Sequence, residues 1–123
     1  MQKANNFITM LGTGNALATR CYNTCFVLHG CEGAVLVDAG GGNGVLTQLE
    51  RAGIRREDIG DLFVTHAHTD HLLGCIWMMR MALQFRYPLR VRICKSNVGS
   101  NESGMILFLY CQWLYGKCFC KKS

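Results

Sequence analysis

Three of the four histidines of this 123-residue chain, and one aspartate, fall within His66-Ala67-His68-Thr69-Asp70-His71, directly after Leu62-Phe63-Val64-Thr65. Neutral imidazoles and a carboxylate suit zinc and similar first-row ions, and donors spaced two apart in a loop can turn onto one cation. A lone histidine would default to a solvated turn or a satisfied core position. So many donors of the right types at a strand-to-helix junction favour a metal site instead. The motif sets the class of chemistry and leaves the substrate open.

The elements that must position those donors can be read on either side of them. Phe7 to Leu11 is a short apolar run ending in Gly12-Thr13-Gly14-Asn15, a strand entering a tight turn. A dinucleotide fingerprint would want a third glycine where the chain has Leu17, so that reading is weak. Asn23 to His29 and Ala34 to Asp38, separated by Gly30-Cys31-Glu32-Gly33, predict a hairpin. Asn43 is placed to cap a helix with Val45, Leu46, Leu49 and Ala52 on one face and Gly53 at its end. Asp61 to Thr65 reads as the next strand, and Leu72, Ile76, Met79 and Leu83 recur at helical spacing before Pro88. Met78, Met79 and Met81 are core filler, and Leu89 to Cys94 predicts a further strand. The pattern is α/β, with the donor loop at the C-terminal edge of a strand, where such folds keep their chemistry. Asp38 ends its strand ahead of Ala39-Gly40-Gly41-Gly42-Asn43-Gly44. A buried carboxylate there must be hydrogen-bonded; bracing the histidine loop from behind and capping the next turn are both consistent with the spacing.

Half the residues are apolar and 17% are charged, so the chain reads as globular and as one domain. No apolar run reaches the roughly 18 residues of a membrane span, and Met1 to Asn6 lacks the apolar core of a signal peptide. Eight irregularly spaced cysteines without an export signal fit reduced thiols in a cytoplasm better than a disulfide framework. Cys21 and Cys25 lack a second pair at finger spacing, and His29 reads as structural. The net charge of +5 comes mainly from Arg80, Arg86, Arg90, Arg92 and Lys95; it could attract a polyanion, although charge of this kind is usually a solvated face. No nucleic-acid-binding motif accompanies these arginines. The texture changes after Cys94: loop composition from Asn97 to Gly104 precedes the apolar run Met105 to Tyr115, then Cys118 and Cys120 in a basic end. Residues 1–94 are therefore expected to form one unit and 95–123 a divergent tail, truncated or frameshifted.

The loop Thr65 to His71, preceded in order by Leu11-Gly12-Thr13-Gly14-Asn15-Ala16 and Leu36-Val37-Asp38-Ala39-Gly40, resembles the metallo-β-lactamase superfamily, in particular its ribonuclease Z-like branch. The resemblance implies an αββα sandwich of mixed sheets with flanking helices, of which this chain would supply about the N-terminal half. It implies that His66 and His68 serve one metal ion and Asp70 and His71 a second, that Asp38 supports the loop, and that Asp70 steers the proton of the attacking water. One or two zinc ions are expected, with manganese where oxygen ligands dominate. The implied activity is hydrolysis of phosphodiesters or related esters, including RNA, by a metal-bound hydroxide. The chain departs from the family pattern in having no histidine or aspartate after His71, Glu102 being its one remaining carboxylate side chain. Thr69 and Cys75-Ile76-Trp77 stand where ribonuclease Z has glycine and a Leu-Pro-Gly type sequence. The alternative expectation is thus an inactive remnant or interaction domain with an incomplete metal site. With one sheet of the two, an apolar face is expected to stand uncovered and to favour self-association.

Overall fold

The computed structural model describes residues 6–94; the expectations for the N-terminal residues 1–5 and for 95–123, including the apolar run from Met105 and the Cys118 and Cys120 thiols, lie outside them. Five strands, β1 (Phe7–Gly12), β2 (Cys25–Gly30), β3 (Gly33–Val37), β4 (Ile59–Val64) and β5 (Arg90–Ile93), form one sheet in sequential order. The first three run antiparallel through the expected hairpin, and β3, β4 and β5 are parallel neighbours. The parallel steps are bridged by α1 (Gly44–Arg51) and α2 (Thr69–Phe85). Right-handed crossovers between strands added in one direction put both helices on the same face of a sheet.

The alternation within each strand shows the two faces. Val27, Leu36, Leu62 and Val64 are fully or almost fully buried against Val45 and Leu49 of α1 and Leu72, Cys75, Met78 and Met79 of α2. On the opposite face the register aligns two rows: Ile8, Leu28, Val35, Asp61 and Arg90 in one, Met10, Phe26, Val37, Phe63 and Arg92 in the other. Its β1 side is apolar and open, with Ile8 59% and Met10 50% exposed, while at its other end Arg90 and Arg92 both reach Asp61. This is a mixed sheet with helices on one side, the αβ half of an αββα arrangement. Among the described residues, no helix is long and apolar enough to cross a membrane.

Local chemistry accounts for the element ends. Helix α1 stops in a Schellman turn: Gly53, at φ 69°, donates to the Glu50 carbonyl and Ile54 to that of Leu49. Asn43 occupies the position before α1, but in helical backbone conformation and with no hydrogen bond from its side chain to the helix, so the expected cap is not made. Ala52, expected on the apolar face, is exposed because α1 ends one residue earlier. Helix α2 begins at Thr69 and not after the donor loop, which puts Asp70 and His71 in its first turn; a carboxylate there also complements the helix dipole.

Two close approaches lock the helices to the turn after β3. Gly74 lies against that turn, its N–H on the Gly40 carbonyl at 2.8 Å, and a Cβ at Gly74 would overlap the carbonyl of Ala39. The Tyr22 ring fits between Gly40 and Gly44, and its hydroxyl donates to the carbonyls of Ala39 and Gly42 at 2.8 and 2.9 Å. Burial pushes the Tyr22 phenol up to about 12 and the Cys25 thiol likewise up to about 12, the nearby Asp38 carboxylate adding to the latter.

Gly74→Ala should destabilise the protein. Helix propensity favours alanine by up to about 1 kcal/mol, but overpacking against backbone costs about 1–3 kcal/mol or more, so the midpoint of denaturant unfolding should fall. Tyr22 and Cys25 hold their protons more tightly folded than unfolded. Above the unfolded values the unfolded chain therefore releases protons first, and stability should fall as pH rises from about 9 towards 12, measurable as a declining urea midpoint.

Candidate metal centre

The C-terminal ends of β3 and β4 and the first turn of α2 meet around Asp38. Asp38 continues the parallel ladder, its N–H bonding the Phe63 carbonyl at 2.8 Å, and then turns sharply with φ 57°, a conformation few non-glycine residues adopt. Its side chain is buried and accepts three hydrogen bonds: the Thr65 N–H on Oδ1 at 2.8 Å, and the Thr65 hydroxyl at 2.7 Å and His71 Nδ1 at 2.9 Å on Oδ2. Buried carboxylate oxygens need such partners, and these three account for both oxygens.

Those bonds determine the protons on two imidazoles. The Thr65 hydroxyl has one hydrogen, committed to Asp38, so its oxygen must accept from His66 Nδ1 at 2.8 Å. His71 Nδ1 faces a carboxylate and must donate too. In the neutral form both rings would carry their proton on Nδ1 and leave Nε2 as the acceptor nitrogen. That is the tautomer a metal-ligating histidine needs, held by a carboxylate directly at His71 and through a hydroxyl at His66.

The donors of the motif lie near one another, though not equally closely. His71 Nε2 lies 3.2 Å from Asp70 Oδ2, close to the separation of about 3.3 Å that two ligands at 2.0–2.1 Å from a tetrahedral zinc would have. A neutral His71 already donating to Asp38 would present a lone pair to that carboxylate, an arrangement that a cation seated between them relieves. The rings of His66 and His71 are 4.1 Å apart between centroids, and His68 meets His66 edge-on at 4.6 Å. Candidate donor atoms of Asp38, His66 and His71 all lie within 4.8 Å of one another. On distance alone Asp38 counts as a candidate ligand, while both of its oxygens are already engaged by three hydrogen bonds from Thr65 and His71. His68 is the most exposed of the set and lies outside that tight trio. The donor set fits a zinc-type ion.

Residue type alone gave no signal for Thr65 or Tyr22, because a threonine or a tyrosine in a loop is ordinary. Tyr22 holds the turn after Asp38 together with Asn23, whose side-chain oxygen accepts from the Gly41 N–H at 3.0 Å. The Ala39 N–H also reaches the His71 carbonyl at 3.1 Å, so the turn and α2 are joined by backbone on both sides of the donors. Gly12 and Gly14 belong to this support: a Cβ at either would strike the carbonyl of Tyr22.

Comparison with known proteins places the chain among relatives. A ribonuclease Z of Methanosarcina acetivorans is 40% identical over 68 residues, which cover 54% of this chain and 22% of that protein. The human zinc phosphodiesterase ELAC protein 1 is 37% identical over 68 residues, 54% of this chain and 18% of that protein. The chain thus spans about a fifth of the length of these relatives. The metallo-β-lactamase fold protein YhfI of Bacillus subtilis superposes with a TM-score of 0.60 at 20% identity, over 74% of this chain and 37% of that one, a likeness of fold. The family model described as Anti-Pycsar protein Apyc1 matches residues 7–97. With three motifs in order, a half-sandwich and a cluster of donors behind them, the chain belongs to the Anti-Pycsar protein Apyc1 family, on the ribonuclease Z-like side of the metallo-β-lactamase superfamily.

Proposed function

We propose that this chain is the metal-binding part of a metal-dependent hydrolase acting on phosphodiesters or related esters. The observation that carries this is the convergence of His66 and His71, each engaged at Nδ1 by the Asp38–Thr65 hydrogen bonds, with their donor atoms and Asp38 within 4.8 Å of one another and Asp70 beside His71 Nε2. His66 and His68 would hold one ion, and Asp70 with His71 a second or the remaining positions of the first. Zinc suits the imidazole-rich set, with manganese as the oxygen-tolerant substitute. When bound, such an ion supplies Lewis acidity towards the ester oxygen and lowers the pKa of water. The chain's own residues do the positioning: Asp38 fixes the rings, Thr65 relays that constraint to His66, and Asp70, beside His71, is the carboxylate that would accept and steer a proton. The names of the relatives, a ribonuclease Z and a zinc phosphodiesterase, favour a phosphodiester, RNA included, over other esters.

A second reading, an interaction or remnant domain that binds metal weakly, is favoured by one observation: beyond His71 the sequence supplies no further histidine or aspartate. An ion held by two side chains has an open shell. Self-association through the Ile8, Met10 and Leu28 face belongs to either reading.

Purified protein should take up near-stoichiometric zinc or manganese by elemental analysis, and saturating metal at about 100 times Kd should stabilise it by about 2.7 kcal/mol. Cleavage of a chromogenic phosphodiester should be abolished by chelator and by His66→Ala; metal uptake without any cleavage would select the second reading. Asp38→Asn and Thr65→Val should each weaken metal binding by about 10–100-fold, as loss of such supporting partners does. Thr65→Ser, which keeps the hydroxyl, should restore it; equal loss in the serine variant would remove the relay from the account.

A further inference from the structure

Strand β1, the loop that follows it and the last turn of α1 enclose an open cleft of about 570 Å³ that the metal centre leaves unused. Ligand clefts span about 300–1,000 Å³. Its lining joins apolar Met10 and Leu11 to Arg20, Arg51, Gln48 and Thr13, and includes no carboxylate. Both guanidiniums are exposed, and among the described residues neither is held by an ion pair or hydrogen bond. Three other arginines are taken up by carboxylates, Arg55 by Asp58 and Arg90 and Arg92 by Asp61, whereas Arg20 and Arg51 are the two that line one concave surface together. Arg51 at the end of α1 complements the helix dipole, but that leaves its fork of donors unengaged. Two unpaired cations lining one concave surface repel each other, and a bound anion relieves this.

The cleft adjoins the metal centre through Tyr22. That residue lines the cleft, while its hydroxyl ties down the Ala39 to Gly42 turn directly after Asp38. We propose that the cleft binds a phosphate of the nucleic-acid strand whose neighbouring phosphodiester is presented to the metal centre, with Arg20 and Arg51 as its binding residues. Guanidinium forks match phosphate oxygens bidentately, and the Thr13 hydroxyl and Gln48 amide add neutral donors. The identity of the strand as a substrate rests on the hydrolase reading; the anion-binding property of the cleft does not.

The test is fluorescence anisotropy of a labelled short single-stranded RNA with the full chain, in chelator so that the metal centre contributes nothing. Arg20→Gln with Arg51→Gln should weaken binding at least about tenfold. It should also make the dependence of log K on log salt shallower by about 0.7, the change expected for one phosphate no longer neutralised. Arg55→Gln, which removes an equal charge already paired with Asp58, should bind as the parent does. Asp70→Asn should lose turnover and keep RNA affinity. A double variant that binds within twofold of the parent with the same salt slope, or a parent that binds no RNA, overturns the proposal. Arginine-dependent binding in a protein that hydrolyses nothing would sustain the cleft and sink the hydrolase reading.

Discussion

Everything at the centre depends on one buried carboxylate. Asp38 is at the end of β3 in left-handed backbone conformation, and its two oxygens take hydrogen bonds from the start of the donor loop and from the first turn of α2. An unsatisfied carboxylate at that depth would be costly, and a strained backbone persists only where its surroundings determine it. The neighbours therefore have to be where they are. As a result, two imidazoles, one before α2 and one in its first turn, are both engaged at Nδ1 and lie side by side.

The rest of the described fold serves that constraint. The parallel pairing of β3 with β4 brings Asp38 beside Thr65, since the ladder runs from Val37 opposite Phe63 to the Asp38 N–H on the Phe63 carbonyl. Gly74 lets α2 approach close enough to bond the turn after Asp38, and Tyr22 fills that turn from the other side. Few of these interactions involve the donors themselves. A site held by backbone hydrogen bonds and a single carboxylate can stay in position while its ligands exchange protons or metal.

The opposite face of the sheet differs in kind. Its β1 side is apolar and exposed, and its β5 edge is a cluster of two arginines on Asp61. In a sandwich such a face is the interior, so the same strands that build the metal centre present a surface suited to a second layer. Fold and site are thus coupled: the parallel strand ends lead into the donors, and the antiparallel β1 edge bears most of the exposed apolar surface of this face.

The sequence by itself determined the donor cluster, the order of strands and helices, the hairpin and the glycine end of α1, because each is written in local spacing and residue type. It left the role of Asp38 undecided between a brace and a cap, and it placed an Asn43 cap that the backbone does not make. Only the tertiary structure decided these, since Asp38 and His71 are 33 residues apart and meet through strand pairing and a close helix approach that periodicity does not encode. Thr65 shows the same limit most clearly: the sequence reads it as the end of a strand, whereas its bond to Asp38, 27 residues earlier, is what sets its hydroxyl against His66 Nδ1.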